Sequence, residues 1–322
     1  MKIFSSFVES KRKFFVDLLS VFLFAFSAAG CSKNNTGNNV KENVKIAYLP
    51  ITHAIAVFAA AERLHEQSDV NIELVRYSSW PELTDALNTG RVDGASMLIQ
   101  LASRSKEQGV GLKAVALGHR DGNVVVVKPE INNAAGLKGK TFAIPHRQSS
   151  HNILLQQMLS DAGLSVSDVN VIEMAPPEMP AALAQGQIDG YCVAEPFGAR
   201  AVTIGAGKAL FESGELWNDS ICCALVLNDN FIKNRPETAK KFHALYHEAG
   251  EYISRDRGFA NEVAKKYLTV DDDTLKISLE WISFDKLEIT REAYADLTDK
   301  MVKYGLSSNP PKYEDFVENF QG

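Results

Sequence analysis

The sequence predicts an α/β protein of two similar lobes, each a mostly parallel sheet flanked by helices, with a cleft between them. Three observations carry this. Strand-like runs alternate with helical patterns from "NVKIAYLP" onward,. The same order of elements restarts at "KTFAIPH". The phrase "PELTDALNTGRVDGA", Pro81 to Ala95, returns 96 residues later as "PEMPAALAQGQIDGY", Pro177 to Tyr191, with seven of fifteen positions identical. Generic αβ alternation does not place Pro-Glu, Gly and Asp-Gly at the same spacing twice, so a structural duplication is expected.

The N-terminus precedes this pattern. A basic "ESKRK" leads into "FFVDLLSVFLFAFSAAGC", an apolar run ending in small residues. This is the layout of a secretory signal over residues 1–30. Its uninterrupted part, Leu18 to Ala29, falls short of the roughly 20 residues a membrane-spanning helix needs. "AAGC" resembles a bacterial lipobox with Ala28 where Leu is usual, which makes Cys31 the expected lipidation site; an ordinary cleavage site nearby is the alternative. Residues 31–43, beginning "CSKNNTGNNVKEN", read as a flexible tether,.

The first lobe is expected over 44–123 with 228–322, the second over 124–227. In the first, strand "NVKIAYLP" is followed by helix "ITHAIAVFAAAERLHEQ" with Thr52 as N-cap. Then come strand "NIELVRYS", helix "WPELTDALNTG" closed by Gly90, strand "RVDGASML", helical "LASRSKEQGVG" and strand "LKAVALGH",. The second lobe runs through strand "KTFAIPH", helix "SSHNILLQQMLSDAG" capped by Ser149 or Ser150, strand "VNVIEMA", helix "PEMPAALAQG" ended by Gly186, and strand "QIDGYCVA",. The tail is helical and repeats nothing earlier.

Ligands in open α/β sheets bind beyond the carboxyl ends of the strands. The residues there are Thr52 and His53, Ser96 and Gln100, His119, His146 and Arg147, Ser150 and His151, and Glu195. Trp80 could cap a planar ligand or pack in the core. Of seven histidines, His53, His119, His146 and His151 fall at strand ends or helix starts. His65, His243 and His247 lie in helical patterns, and the last two read as a solvated face. Two chemistries suit such a cleft. Helix N-termini with His, Arg147, Ser and Thr donors would take an oxyanion. Alternatively His53, His119, His146 and His151, with Glu195, would hold zinc or a similar cation. No other cofactor is implied. With Cys31 lipidated, Cys192, Cys222 and Cys223 remain, an odd set that is no disulfide framework; they read as buried apolar thiols.

The formal charge is −6, and the first thirty residues carry +2, so a chain beginning at Cys31 carries −8. No basic stripe offers itself to phosphates, which argues against nucleic acid. No Gly-x-Ser-x-Gly and no Walker loop occurs, so an enzyme is not expected.

"YLPITHA", "WPELTDALNTGRVDGASML", "AVALGHRDGNV", "IPHRQSSHNILL" and "GYCVAEPFGA" together resemble the nitrate/sulfonate/bicarbonate-type substrate-binding proteins of ABC importers, the taurine or THI5-like group. The resemblance covers about residues 44 to 230. It implies a type II periplasmic-binding-protein-like fold that closes on its ligand, a monomer, an ABC permease as partner and an extracytoplasmic location. In the nitrate and bicarbonate binders a histidine at the helix start of the second lobe contacts the anion, and His151 matches that position. "CVAEPF" resembles those proteins' Cys-Val-Gly-Glu-Pro-Trp. His53 stands where those relatives carry Asp, and His146 is also unusual, which keeps a metal open. Capture of a thiamine-pyrimidine precursor is a further alternative, and the THI5-like enzyme is one of another class.

Overall fold

The computed structural model describes residues 42–64 and 69–320. The signal segment, Cys31 and His65 lie outside them. Strand β1 (Glu42–Tyr48) opens the fold, and Glu42 and Asn43, expected in the tether, already pair with Val70 and Asn71. Among the described residues no helix is long and apolar enough to cross a membrane.

Among the described residues the strands are, in chain order, β1, β2 (Val70–Arg76), β3 (Gly94–Leu98), β4 (Leu112–Leu117), β5 (Arg120–Asp121), β6 (Asn123–Val127), β7 (Thr141–Ile144), β8 (Asn170–Glu173), β9 (Gly190–Ala194), β10 (Lys208–Glu212), β11 (Cys223–Asn228) and β12 (Ile282–Ser283). They form two five-stranded sheets, ordered β2-β1-β3-β11-β4 and β8-β7-β9-β6-β10, and a small β5–β12 ladder. The orders correspond position by position. Three parallel strands are followed by one antiparallel strand, β11 or β6, and then by an outer strand.

Each sheet is thus mostly parallel, as expected, with four strands running one way and the fourth in order, β11 or β6, running against them; that reversed strand is the one that crosses between lobes. β6 leaves the first lobe to enter the second sheet, and β11 leaves the second to enter the first. The chain thus rejoins the first sheet at Cys223, five residues before the Asn228 that the sequence suggested. The reason is burial: "CALVLN" is covered on both faces, and an apolar run shows no sign of which sheet it joins,.

The repeated phrase has a physical role. Asp93 donates its N–H to Lys45 O (2.9 Å) and accepts the Lys45 N–H at its carboxylate (2.8 Å). Asp189 does the same with Thr141, at 2.8 and 3.0 Å. Each carboxylate also pairs with a cation, Arg235 or Lys128. The following glycine lets strands close up: a Cβ on Gly94 would stand 2.5 Å from Leu227 Cδ2 and 2.8 Å from Val226 O,.

Of the expected caps Ser149 is found, whereas Thr52 lies inside a short turn whose N-cap is Ile51; Ser79 is a cap not expected from the sequence. Ser79 accepts from Glu82 N before helix Trp80–Asn88, and Ser149 from Asn152 N before helix Ser150–Asp161,. In the tail, helices Pro236–Arg255 and Arg257–Tyr267 pack on helix Ile55–Leu64 of the first lobe, while Asp272–Glu280 packs on Phe197–Thr203 of the second. The tail thus packs on the first lobe and also touches the second. His243 and His247 are half-buried, not a solvated face: His243 Nε2 lies 3.0 Å from Val115 O and from His247 Nε2.

Candidate functional site

Because β11 runs antiparallel, its amino end lies at the carboxyl ends of β3 and β4. Ile99 N donates to Cys222 O (3.0 Å), and Gly118 N donates to Cys223 O (2.7 Å). The short turn Thr52–Ala54 after β1 arrives at the same place. So His53, His119, Cys222 and Cys223 converge, and one ligating atom from each lies within 4.8 Å of all the others. All four residues are at most 2% exposed.

The local geometry is defined. His53 Nε2 sits 2.9 Å from Gly122 O, and His119 Nδ1 sits 2.6 Å from Asp121 O. A carbonyl only accepts, so each ring carries its proton there and leaves its other nitrogen bare. His53 Nδ1 is 3.5 Å from Cys223 Sγ and 3.8 Å from Cys222 Sγ, and the two sulfurs are 3.9 Å apart. His119 Nε2 has no partner. The two rings stack with centroids 3.5 Å apart. The carbonyls that orient them belong to a turn with Asp121 at φ 57° and Gly122 at φ 75°; a side chain at Gly122 would also collide with Ile282.

Further polar atoms are buried here without partners. They are Gln100 Oε1, Asn123 Nδ2, Ser150 Oγ and both ring nitrogens of His151. A buried polar group that makes no hydrogen bond costs about 1–3 kcal/mol, so so many together mark a place built for something that binds. Ser150 and His151 begin a second-lobe helix, and Asn123 begins β6, so both lobes contribute.

The electrostatics follow from burial. It pushes His119 down to about 4, with the His53 ring adding to the effect. It likewise pushes His151 down to about 4, against the opposing pull of Cys222. Both imidazoles are neutral at physiological pH. Burial would raise Cys222, but the neighbouring Cys223 thiol and the His119 and His53 rings outweigh it and hold this thiol well below its usual range, while burial beside Cys222 pushes Cys223 up. Among the described residues no lysine or arginine is buried.

Other expected site residues go elsewhere. The Thr52 hydroxyl donates to Glu195 O (2.9 Å), and the Glu195 carboxyl accepts from Ala199 N (3.2 and 3.1 Å) and Ser278 Oγ (2.7 Å). Both side chains are thus used up in joining the lobes and capping a helix. His146 is half-buried, its Nδ1 accepting from Gln148 N (2.9 Å), and with Trp80 it lines a separate small cleft. His146 is not part of the group that converges, so the four-histidine set is replaced by two histidines and two cysteines. Arg147 is exposed and donates to Val171 O (3.1 Å). Trp80 is buried in the core, and Ser96 is buried on β3. An open cleft of about 760 Å³ lies between the lobes, lined by Leu49, Ile51, Arg76, Tyr77, Pro177 and Phe197 among others, and it reaches none of the histidines.

Two mixed sheets exchanging a strand, with a buried polar site between them, define the class of two-lobed periplasmic-binding-protein folds. The alkanesulfonate-binding protein SsuA of Xanthomonas axonopodis shares this fold at a TM-score of 0.70 and 21% identity, over 84% of this chain and 94% of that one. A family model described as NMT1-like family matches residues 37–268, and the chain belongs to that family. The ligand-binding component of an ABC-type import system from Staphylococcus aureus, solved with zinc bound, is 37% identical, with a TM-score of 0.82 over 86% of this chain and 97% of that one. The nitrate/nitrite binding protein NrtA of Nostoc is 24% identical over 265 residues, covering 72% of this chain and 58% of that protein. The chain spans only 33% to 58% of the length of the nitrate and bicarbonate transport proteins it matches.

Proposed function

We propose that this chain is the solute-binding component of an ABC importer. It works outside the cytoplasmic membrane as a monomer, tethered through Cys31, captures a small ligand between its lobes and hands it to a permease. It binds its ligand and does not transform it. The observation that carries this reading is the set of buried, partnerless polar atoms drawn from both lobes, His119 Nε2, Gln100 Oε1, Ser150 Oγ and His151. A ligand that satisfies them favours the closed arrangement over an open one.

Two ligand chemistries have support. An oxyanion fits the helix start at Ser150–His151 and the names of the nitrate, bicarbonate and taurine relatives,. A metal cation fits the imidazole–thiol group and the zinc in the Staphylococcus aureus relative. Small-angle scattering tests the capture reading: ligand-free protein is expected to be more extended and to compact on adding the correct solute. Scattering that stays unchanged with a ligand known to bind tightly would count against it.

A further inference from the structure

We propose that the cargo is a thiophilic divalent cation of the zinc class, held tetrahedrally by His53 Nδ1, His119 Nε2, Cys222 Sγ and Cys223 Sγ. The inference rests on the solute-capture reading and names its substrate.

Distances carry the argument first. Zinc binds sulfur at about 2.3 Å and imidazole nitrogen at about 2.0–2.1 Å, so the edges of a tetrahedral site are about 3.8 Å between two sulfurs and about 3.5 Å between sulfur and nitrogen. The face formed by Cys222, Cys223 and His53 has edges of 3.9 Å for Cys222–Cys223, 3.5 Å for Cys223–His53 and 3.8 Å for Cys222–His53. The His119 ligand atom lies within 4.8 Å of all three, close enough to close the fourth corner when an ion draws it in.

The surroundings agree. Metal-bound histidines almost always donate their other N–H to a carbonyl or carboxylate, which fixes the ring. Both rings do so here, toward adjacent carbonyls of one turn. A histidine serving only as core packing would have no cause to leave its second nitrogen bare in a dry interior, as His119 Nε2 is left. Charge also balances. Two thiolates and a dipositive ion sum to zero, which suits a site with no buried lysine or arginine; a buried nitrate or sulfonate would keep an uncompensated negative charge.

The ligand set also reads as a carrier's rather than a permanent clip's. A structural zinc organises a small domain that lacks a core, whereas each lobe here is built on a five-stranded sheet. The ion's ligands belong to the first sheet and the loops at its edge. His151, at the start of a second-lobe helix, is buried with both ring nitrogens unpartnered. Opening the lobes would remove that cover and expose the ion.

The test uses the full chain, purified without an affinity tag, kept reduced and stripped with a chelator. Titration with cobalt(II) chloride should give one equivalent, with the strong visible bands of a tetrahedral site and thiolate-to-cobalt charge transfer, and zinc chloride should displace it. Cys222→Ser and His53→Ala are expected to lose more than about 100-fold in zinc affinity, beyond the 10–100-fold typical of outer-shell partners, while His146→Ala leaves it unchanged. Should Cys222→Ser fold poorly, the charge-transfer intensity of the wild-type chain still reports whether thiolates ligate. No cobalt spectrum, or equal zinc affinity in all variants, overturns the inference. Stabilisation by nitrate, bicarbonate or taurine in metal-free protein also overturns it but leaves solute capture standing. Compaction with none of these probes and no metal uptake removes both.

Discussion

Nδ1 of His53 stands 3.5 Å from Sγ of Cys223, although 170 positions separate them in sequence. The contact exists because β11 carries its cysteines back from the second lobe to the first sheet. A ligand bound by that pair binds the folded chain alone, so it must stabilise it. Zinc at a hundred times its Kd is expected to add about 2.7 kcal/mol. A chelator should reverse the gain, and Cys223→Ser should not show it. Thermal melts with and without zinc decide this; an equal gain in the variant would count against the pair as ligands.

The duplicated Asp-Gly phrase makes a prediction about stability. Asp93→Ala strips the Lys45 N–H and Arg235 of their acceptor, and Asp189→Ala does the same to Thr141 and Lys128. Each is expected to cost about 1–3 kcal/mol. Gly94→Ala should cost more than Asp93→Ala, since its methyl meets both a side chain and a backbone carbonyl of β11. Urea denaturation midpoints check the order.

These elements show what sequence could and could not tell. The helix capped by Ser149 and the paired Asp-Gly strands were legible because their signals are local. β11 was not, because an apolar run buried on both faces carries no mark of its partner. That single strand explains most of what was missed at the site. His53, His119 and His151 were found by looking at the carboxyl ends of strands. Cys222 and Cys223 lie at the amino end of one, and only antiparallel pairing brings that end to the cleft. Asn123 was passed over for the same reason, since β6 is the other crossing strand. Thr52 and Glu195 bond to each other across the lobes instead of facing the converging group, a partnership that no spacing reveals.

His151 should show a conflict between stability and function. Both of its ring nitrogens are buried without partners. His151→Leu replaces them with an apolar group of similar size and is expected to stabilise the ligand-free protein by about 1–3 kcal/mol. The variant should lose most of its compaction on ligand binding, because the second lobe then has less to gain by closing. Calorimetric melting together with scattering tests both halves. A variant less stable than wild type would contradict the account of these atoms as unsatisfied.

Glu195 sets a pH dependence of its own. Burial raises its carboxyl from 4.5 to about 7, although Ser278 and Ala199 hydrogen bonds oppose the rise. Between pH 4.5 and 7 the folded chain therefore holds a proton that the unfolded chain has released. Stability falls with rising pH wherever the folded state binds more protons. The contribution from Glu195 is fully present below about pH 4.5 and is lost by about pH 7, a change of about 3 kcal/mol. Glu195→Gln keeps acceptors for both partners and cannot ionise, so its stability should not carry this decline. The expected result is a gap between variant and wild type that widens in the variant's favour from pH 4.5 to 7, read from urea unfolding at each pH. A gap independent of pH would mean that the carboxyl is already ionised in the folded protein, and that the Ala199 and Ser278 bonds outweigh the cost of burying it.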